Sequence, residues 1–398
     1  MNNEKKYKIL LSGGGTGGSV APLLAVAEEL ETSPLPPPLL SPPLEGGKHS
    51  SPEEEKAASG QPSPSQGEGR VRLEFLWLGT KYGPERAMVE NAGIKFKAIS
   101  GGKWRRYFSF KNFSDIFKIK LAFWQAFFIM LKWRPNLVMS AGSFISVPVV
   151  WAAWILRVPV IVHQQDVRPG LANKLMAPLA KIITVSFEKS LADYGKKAVW
   201  TGNPVRGKKL EVRSKNYNNF GLSGNLPVVL IVGGGTGAMA INKLVEESLS
   251  ELTKFCQIIH VTGKNKSKKL EVRSKNYATF EFLDAGQMAE ALHLADAVVT
   301  RAGMGALSEL SYLKKPAIII PMPGSHQVDN AQMFKEAAVV LEQKDLTPEK
   351  FANEIINLLN DKKLQKRLGE KIGRVMKRGA EKEMVMIIRR LLTDKKIK

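Results

Sequence analysis

The sequence of 398 residues contains a single cysteine, Cys256, which excludes a disulfide framework and a metal site built from clustered cysteines. It has no run of about 18 consecutive apolar residues, so we expect no membrane-spanning helix. The N-terminal stretch reaches a glycine turn too early for the apolar core of a signal peptide. With 44% hydrophobic and 24% charged residues, the composition predicts a folded, globular protein of a reducing compartment.

Several nucleotide-binding signatures are also missing. No GxxxxGK[ST] segment is present, which excludes a P-loop. The second predicted strand ends in Leu78-Gly79-Thr80, without the acidic ribose ligand of a dinucleotide-binding domain. No D-x-D pair is available to hold Mg²⁺ on a diphosphate, so we expect neither a metal nor a cofactor. A leaving phosphate would then be neutralised by backbone N–H groups, a helix N-terminus and cations such as Arg206.

Acidic residues are scarce: 59 Lys and Arg stand against 37 Asp and Glu, giving a net charge of +22. The excess is concentrated in 101–134 (+7), in 347–398 (+8) and in two copies of KKLEVRSKNY, at 208–217 and 268–277 (+3 each). The copies look acquired, and we expect no binding role for them. The charge alone suits nucleic acid, but no RNA-binding motif accompanies it, so we expect no nucleic-acid partner.

The basic segment 101–134 also holds eleven of the 31 aromatic residues. Basic residues mixed with large apolar ones are typical of a helix at an anionic membrane surface. We therefore predict membrane contact for 103–120, whereas core packing and membrane contact remain equally open for 121–131. The residues expected at the membrane are Trp104, Arg105, Arg106, Phe108, Phe110, Phe113 and Phe117.

Short apolar runs that end in glycine alternate with helical stretches, which predicts an α/β protein with parallel sheets. The pattern restarts after about residue 205, so two halves of similar size follow. Residues 33–70 belong to neither half: nine of 38 residues are Pro, seven Ser and five Gly. Because that composition cannot form a core, we expect a disordered insertion.

Each half opens with a glycine turn between a predicted strand and a helix. In the first, Gly13, Gly15 and Gly18 match GxGxxG, which alone is weak support for a dinucleotide site. The second turn spans 233–238. Glycine permits close approach of a ligand to backbone N–H groups, and the helix N-terminus favours an anion. Two such loops predict two phosphorylated ligands that meet in a cleft between the halves.

Five segments in order carry a resemblance: GGTGGSVAPLLAVA (14–27), GNPVR (202–206), VGGGTGAMAIN (232–242), RAGMGALSEL (301–310) and HQVDNAQ (326–332). The sequence resembles the MurG family of bacterial glycosyltransferases. The resemblance implies a GT-B fold of two Rossmann-like domains: 1–203 for the lipid-linked acceptor and the membrane, 204–375 for UDP-GlcNAc, and a helix, 376–398, that returns to the first.

The same resemblance implies the reaction and its location. GlcNAc is transferred with inversion and without a metal from UDP-GlcNAc to the muramyl 4-hydroxyl of lipid I, which gives lipid II for peptidoglycan. The enzyme works as a peripheral protein on the anionic cytoplasmic face of the bacterial cell membrane. The family assigns donor binding to Arg206, Gly234, Gly235, Thr236, Gly237, Glu309, His326, Gln327 and Asn330. It assigns acceptor binding to Gly14, Gly15, Thr16, Gly17, Gly18, Gly142, Ser143 and Phe144.

Departures from the family pattern cluster on the acceptor side. Ser19 stands where the family has the His that is a favoured general base, and Phe144 replaces a Tyr. The usual HEQN reads His163-Gln164-Gln165-Asp166. We take Asp166, Ser19 and Thr16 as catalytic candidates, with the hypothesis that Asp166 substitutes for the lost His. A surface contact between Asp166 and Arg168 is an equally open interpretation.

Three other functions remain open at this point. A related GT-B enzyme with another acceptor fits the acceptor-side departures, and a weakly active UDP-sugar-binding scaffold fits the lost residues. A sugar-nucleotide epimerase shares the fold but needs no membrane surface. Retention of Glu309, Gln327 and both glycine loops argues against the scaffold.

Overall fold

The computed structural model describes residues 6–15, 17–33, 72–102, 111–211, 216–234, 237–266 and 274–393. Within them, two parallel β-sheets, one in each half of the chain, carry helices on their faces. The insertion expected at 33–70 lies outside the described residues apart from Ser33. No helix in the described ranges is long and apolar enough to cross a membrane.

The first sheet has seven parallel strands in the order β3-β2-β1-β4-β5-β6-β7. Its strands are β1 Lys6–Ser12, β2 Arg72–Thr80, β3 Lys95–Ile99, β4 Leu137–Ser140, β5 Val160–Gln164, β6 Ile182–Val185 and β7 Ala198–Trp200. The order reverses between β1 and β4, and ligands of open α/β sheets bind at the carboxyl ends of such strands. The first glycine loop follows β1, and the loop 142–144 follows β4.

The second sheet repeats this plan with six parallel strands in the order β10-β9-β8-β11-β12-β13. Its strands are β8 Val228–Val232, β9 Gln257–Val261, β10 Tyr277–Phe280, β11 Ala297–Thr300, β12 Ala317–Ile319 and β13 Val339–Val340. Here the order reverses between β8, which leads into the second glycine loop, and β11, which leads into the segment of Glu309. The central strands are buried throughout because helices cover both faces of each sheet.

Thirteen α-helices lie in the described residues. Those of the first half are α1 Ala21–Thr32, α2 Glu85–Glu90, α3 Lys111–Trp133, α4 Ser146–Ile155 and α5 Leu171–Met176. Those that follow are α6 Gly207–Leu210, α7 Met239–Phe255, α8 Ala285–Leu294, α9 Met304–Leu313, α10 Gln327–Phe334, α11 Pro348–Asn360, α12 Lys362–Val375 and α13 Ala380–Thr393. Short 3-10 turns connect several of them, including Gly17–Ser19 beside the first glycine loop.

The last helix crosses back to the first half of the molecule. Met384, Val385 and Ile388 of α13 are buried in the same apolar core as Leu23 of α1. Just before α13, Lys377 Nζ donates to the backbone carbonyl of Trp200 at 3.2 Å. Arg389 of α13 also donates to the backbone carbonyl of Ser33 at 2.7 Å. The C-terminal segment therefore contacts the first half through apolar packing and through hydrogen bonds to its backbone.

The predicted fold class, α/β with two parallel sheets, is confirmed. Every strand predicted from an apolar run is present within a few residues of its predicted bounds, which are 8–14, 73–80, 136–142, 158–164, 181–186, 227–235, 258–263, 297–303 and 316–323. Four strands were not predicted, namely β3, β7, β10 and β13. They are short and lie at or next to sheet edges, where side chains are only partly buried and no apolar run is required.

Candidate active site

The first glycine loop follows β1 and closes in the 3-10 turn that contains Gly17 and Gly18. Gly15 has φ +82°, and no atom lies within 4 Å of the position its Cβ would take, so the backbone is open to a ligand. Ser19 is buried, and its hydroxyl bonds to the N–H and the carbonyl of Gly14 at 3.1 and 3.3 Å. Ser19 therefore closes the loop on itself. Thr16 lies outside the described residues.

A carboxyl group that sequence reasoning missed lies directly behind this loop. Glu85, the first residue of α2, is 0% exposed. One of its oxygens accepts from Gly15 N at 3.2 Å, and the other accepts from Thr80 N at 2.8 Å and from the Thr80 hydroxyl. The Gly15 N–H is thus occupied by a side chain of the protein.

The second part of the predicted acceptor surface is the loop after β4. Gly142 and Ser143 have φ of +93° and +87°, so two successive residues adopt left-handed backbone. For a serine this costs on the order of 1 kcal/mol, which is a form of strain that concentrates at functional sites. Ser146 Oγ donates to the Gly142 carbonyl at 3.0 Å and fixes the turn. Phe144 packs against the apolar core below the loop.

Asp166 follows β5 and lies where the two halves meet. Its Oδ1 accepts a hydrogen bond from Asn330 Nδ2 at 2.9 Å and lies 3.9 Å from His326 Nε2. Arg168 does not pair with it, because Arg168 pairs with Asp329 at 3.0 Å. The side chain of Asp166 is 33% exposed. A carboxyl of the first half therefore lies beside residues of the second half that are predicted to bind the donor.

Gln164, the residue that replaces the family's Glu, fixes the turn that carries Asp166. Its Nε2 donates to the backbone carbonyls of Asp166 and Arg168 at 2.7 and 2.9 Å. Its Oε1 accepts from the Tyr194 hydroxyl at 3.0 Å and from Asn173 Nδ2. An amide can donate and accept at once, whereas the carboxylate of a Glu could not make the first two bonds. Gln164 and Asp166, the two departures from the HEQN pattern, therefore fit the same turn.

The three residues predicted to recognise the sugar differ in their surroundings. His326 is 59% exposed, and Gln327 on α10 accepts from Met322 N at 3.0 Å. Asn330 is fully buried, accepts from Val167 N at 3.1 Å and donates to Asp166 as well as to a backbone carbonyl. The amide of Asn330 thus bridges the two halves, and His326 is the member of the three most open to a ligand.

The second glycine loop follows β8. Gly234 has φ +88° and open space in the direction of its missing side chain, as Gly15 does. Gly237 has φ +71°, and a Cβ there would lie 2.0 Å from the Thr262 carbonyl oxygen, so only glycine fits. Lys266 Nζ donates to the Gly237 carbonyl at 3.1 Å, which brings a cation to this loop. Gly235 and Thr236 lie outside the described residues.

Glu309 is carried by α9, which begins directly after β11. It is only partly exposed, and burial raises the pKa of its carboxyl from 4.5 to about 7. None of the described residues forms a hydrogen bond or an ion pair with that carboxyl. A carboxylate with two unused acceptor oxygens suits a vicinal diol.

Arg301, another residue that sequence reasoning did not single out, supports the segment before α9. It is 5% exposed and donates to the backbone carbonyls of Ile320 and Pro321 at 3.0 and 3.2 Å. A third bond, 2.7 Å long, reaches Gln343 Oε1. Its guanidinium therefore joins the ends of β11 and β12, and burial lowers its pKa.

Arg206, predicted near the donor diphosphate, is engaged elsewhere. Its guanidinium makes two hydrogen bonds to the carboxyl of Glu28 on α1, one of them from Nε at 2.8 Å. Lys209 Nζ lies 2.7 Å from the same carboxyl, and Lys208 Nζ lies 3.8 Å from Glu29. Burial acts to raise the pKa of Glu28, but the bonds from Arg206 and Lys209 outweigh it and hold that pKa below its usual value. The first copy of KKLEVRSKNY therefore supplies two cations to an ion-pair cluster between the halves.

A buried hydrogen-bond chain also links the halves near Glu309. His163 Nε2 and Nδ1 lie 2.8 Å from Asn203 Oδ1 and 2.9 Å from Thr184 Oγ1, and Asn203 Nδ2 donates to Ser308 Oγ at 2.8 Å. Burial lowers the pKa of His163 to about 4, so its ring is neutral near pH 7. Ser308, the residue before Glu309, is thus linked through the side chain of Asn203 to His163 of β5.

The predicted membrane segment is described only in part. Residues 103–110, with Trp104, Arg105, Arg106, Phe108 and Phe110, lie outside the described residues, as does the side chain of Phe113. On α3, one face is exposed and apolar, with 50% to 66% exposure at Phe117, Leu121, Trp124, Phe128 and Leu131. The opposite face is core, with Ala122, Ala126 and Met130 buried. Core packing is therefore confirmed for one face of 121–131, and membrane contact of the exposed face stays a prediction.

Comparisons with known proteins agree with this arrangement. The glycosyltransferase family 28 N-terminal domain matches residues 66–185, and the glycosyltransferase family 28 C-terminal domain matches residues 228–384. The UDP-N-acetylglucosamine–N-acetylmuramyl-(pentapeptide) pyrophosphoryl-undecaprenol N-acetylglucosamine transferase of Clostridium kluyveri is 36% identical over 88% of this chain and 91% of its own. The protein of the same name from Clostridium tetani is 33% identical over 88% and 89%. The chain belongs to the MurG family.

Solved structures extend the likeness of this MurG-family chain at the level of the fold. MurG of Acinetobacter baumannii has a TM-score of 0.65 at 21% identity and covers 96% of this chain, with 99% of its own chain covered. A UDP-GlcNAc 2-epimerase from Neisseria meningitidis, bound to UDP-GlcNAc, has a TM-score of 0.63 at 13% identity, with 96% and 99% covered. Fold alone therefore does not separate transferase from epimerase, whereas the relatives at 33–36% identity are transferases.

Proposed function

We propose that the chain transfers GlcNAc from UDP-GlcNAc to the muramyl 4-hydroxyl of lipid I and so makes lipid II. One observation carries the chemistry: the carboxyl of Asp166, from the acceptor half, lies within hydrogen-bond reach of Asn330 and 3.9 Å from His326, both in the donor half. Transfer requires an acceptor hydroxyl beside the anomeric carbon of the donor. The junction at Asp166 is where residues of both halves converge.

The donor would lie against the second half. Glu309, once ionised, accepts hydrogen bonds from both ribose hydroxyls, since no described residue engages its oxygens. The open backbone at Gly234 and the ammonium of Lys266 at the same loop suit the diphosphate. His326 and Gln327 are close enough to the junction to contact the GlcNAc hydroxyls, and Arg206 joins the diphosphate when it leaves Glu28.

Asp166 is better placed to act as the general base than Ser19. Its Oδ1 is held by Asn330, which leaves Oδ2 for the proton of the 4-hydroxyl. As that proton passes to Asp166, the hydroxyl oxygen bonds to C1 of GlcNAc, and the C1–oxygen bond to the diphosphate breaks with its electron pair on UDP. The attack from the opposite side inverts the anomeric centre. Ser19 is less suited because its hydroxyl is already bonded within the first loop.

The acceptor would approach from an anionic membrane surface, on the cytoplasmic face of the cell membrane. The exposed face of α3 is continued by Trp151, Trp154 and Ile155 of α4, which are 44% to 58% exposed. Exposed lysines flank it at 118, 120 and 132. Aromatic and aliphatic side chains between lysines suit insertion at the level of anionic headgroups. The same surface gives no reason to expect nucleic acid.

The division into 1–203, 204–375 and 376–398 is part of the same proposal. It is supported by the two sheets, which end at Trp200 and begin again at Val228, and by the burial of α13 in the core of the first half. On this division the linker 201–206 contains Asn203, whose bonds reach both His163 and Ser308.

The test combines transfer and binding. Purified protein, labelled UDP-GlcNAc and a lipid I analogue are incubated, and the products are separated. We expect lipid II, and we expect Asp166→Asn to lower turnover at least 100-fold with UDP affinity unchanged, because the base is lost while the donor site remains. Asp329→Asn, a matched change two residues from Gln327, should keep turnover within a few-fold.

The other outcomes identify the alternatives. Isomerised UDP-sugar without lipid II would identify an epimerase, and UDP-sugar binding without turnover would identify a scaffold. Full turnover by Asp166→Asn would overturn the role of Asp166 while leaving the reaction itself in place.

A further inference from the structure

Glu85 is a buried carboxyl group that the proposed chemistry does not use. It is 0% exposed, and no lysine, arginine or histidine of the described residues pairs with it. Burial of an unpaired carboxyl is costly unless hydrogen bonds satisfy it. The three bonds it accepts all come from outside its own helix: two from Thr80 at the end of β2 and one from Gly15 in the first glycine loop.

The surrounding glycines make room for this carboxyl. A Cβ at Gly14 would lie 2.5 Å from Glu85 Oε1, and a Cβ at Gly83 would lie 1.8 Å from Glu85 Oε2. By contrast, a Cβ at Gly15 would meet nothing within 4 Å. Gly14 is therefore glycine because a carboxyl fills the space behind the loop, whereas Gly15 leaves the front of the loop open.

The carboxyl also changes what the front of the loop can bind. It accepts the Gly15 N–H, so that donor is unavailable to a ligand. Ser19 likewise occupies the Gly14 N–H. A phosphate cradle needs free N–H groups and a positive potential. This loop has two of its N–H groups occupied and an acidic side chain behind it.

We propose that Glu85 is a positioning residue that fixes the first glycine loop for an uncharged, hydroxyl-bearing part of the acceptor, and that the acceptor's diphosphate binds elsewhere. The proposal rests on the proposed function for the identity of the acceptor. Glu85 acts through the backbone of Gly15 and does not touch the substrate.

The test variant is Glu85→Gln. Both carboxyl oxygens face N–H donors, of Gly15 and Thr80, so the amide of a Gln must turn its NH₂ toward one of them and lose that bond. We expect the KM for a lipid I analogue to rise about tenfold, with the KM for UDP-GlcNAc and the affinity for UDP unchanged within twofold. Glu90→Gln, the same change on the exposed side of α2, is the matched control.

Competition by inorganic pyrophosphate tests whether the first glycine loop excludes a diphosphate. In the unmodified protein we expect it to compete with UDP-GlcNAc and not with the lipid I analogue. In Glu85→Gln it should begin to compete with the analogue as well. Competition with the analogue in the unmodified protein would overturn the proposal, and so would an equal rise of both KM values in Glu85→Gln.

A readout without turnover separates this proposal from the reaction. Hydrogen exchange in Glu85→Gln should accelerate in residues 13–20 and stay unchanged in 233–238. This holds whether or not lipid II is formed. If lipid II forms but exchange at 13–20 does not change, only the role of Glu85 is overturned. If exchange changes as expected but neither the unmodified protein nor any variant forms lipid II, only the proposed reaction is overturned. If Glu85→Gln does not fold, Thr80→Val is measured in its place, since it removes one bond to Glu85 and leaves Gly15 untouched. Exchange in residues 13–20 should then accelerate to a smaller extent, and unchanged exchange would overturn the role of Glu85.

Discussion

The two glycine loops occupy equivalent places in the two sheets, and each contains an open glycine in left-handed backbone, yet the charged side chains that bond to them are opposite in sign. Gly15 and Gly234 have φ of +82° and +88°, and both are open to a ligand. Behind the first loop lies the carboxyl of Glu85, bonded to an N–H, whereas the ammonium of Lys266 is bonded to a carbonyl of the second. Glycine spacing thus determines the shape of such a loop, and residues distant in sequence determine the charge it accepts.

The largest expected effect separates a crowded glycine of the second loop from an open glycine of the first. Gly237→Ala puts a Cβ 2.0 Å from the Thr262 carbonyl oxygen in a left-handed backbone. We expect the free energy of unfolding to fall by about 3 kcal/mol or more and UDP binding to be lost. Gly15→Ala, which has the same backbone strain without the clash, should cost about 1 kcal/mol. Chemical denaturation of both variants measures the difference, and equal losses would contradict the proposed steric difference.

The next effect concerns Glu309 in the second half of the molecule. Glu309→Gln should weaken UDP binding about 100-fold above pH 8, because a neutral amide replaces the carboxylate that we propose accepts hydrogen bonds from two ribose hydroxyls. Since the pKa of Glu309 is raised to about 7, UDP affinity of the unmodified protein should increase as the pH rises from 6 to 8. In Glu309→Gln, that increase should disappear. Isothermal titration at several pH values checks both expectations.

The same carboxyl makes folding stability depend on pH. Its pKa in the folded state, about 7, exceeds the ordinary 4.5, so the folded protein binds the extra proton between these values. The stabilisation is complete below pH 4.5 and is lost as the pH rises through 7, with at most about 3 kcal/mol involved. His163 and His260, whose pKa values burial lowers to about 4, act in the opposite direction below pH 6.5. The difference between the unmodified protein and Glu309→Gln isolates the carboxyl, and parallel stability curves would contradict the assignment.

The smallest expected effect tests whether the first half of the molecule restrains Arg206, a proposed donor-binding residue. Glu28→Gln weakens the partner of Arg206, so the guanidinium becomes available to a diphosphate. We expect UDP to bind two- to fivefold more tightly, because partly exposed ion pairs contribute little. Weaker UDP binding would mean that Glu28 supports the donor site.

The repeated KKLEVRSKNY segment offers a control for that ion-pair cluster. Lys208→Ala with Lys209→Ala removes two cations that contact α1. Lys268→Ala with Lys269→Ala removes the same charge from the second copy. We expect hydrogen exchange in α1 to accelerate in the first pair of substitutions only. Equal acceleration would mean that net charge, and not the contact, stabilises the helix.

Features that depend on one continuous segment of the chain, such as a buried strand or a glycine loop, could be predicted from the sequence. Apolar runs predicted the central strands, and glycine spacing predicted both loops. The short edge strands β3 and β13 escaped because neither requires a continuous apolar run. Glu309 was identified through its motif, but the elevation of its pKa depends on burial by other elements.

The remaining features depend on contacts between residues far apart in the chain. Glu85 is 70 residues from Gly15, Glu28 is 178 from Arg206, and Asp166 is 164 from Asn330. No local pattern marks such pairs. The basic repeat was interpreted as acquired and without a binding role, and its first copy contributes Lys208 and Lys209 to the ion-pair cluster with α1.

The opposite electrostatics of the two loops are tested most directly by hydrogen exchange of the unmodified protein with and without UDP. If the second loop takes the diphosphate and the first does not, UDP will slow exchange in residues 233–238 by at least tenfold and leave residues 13–19 within twofold of the unliganded rate. Equal protection of the two loops, or protection of 13–19 alone, would contradict this assignment.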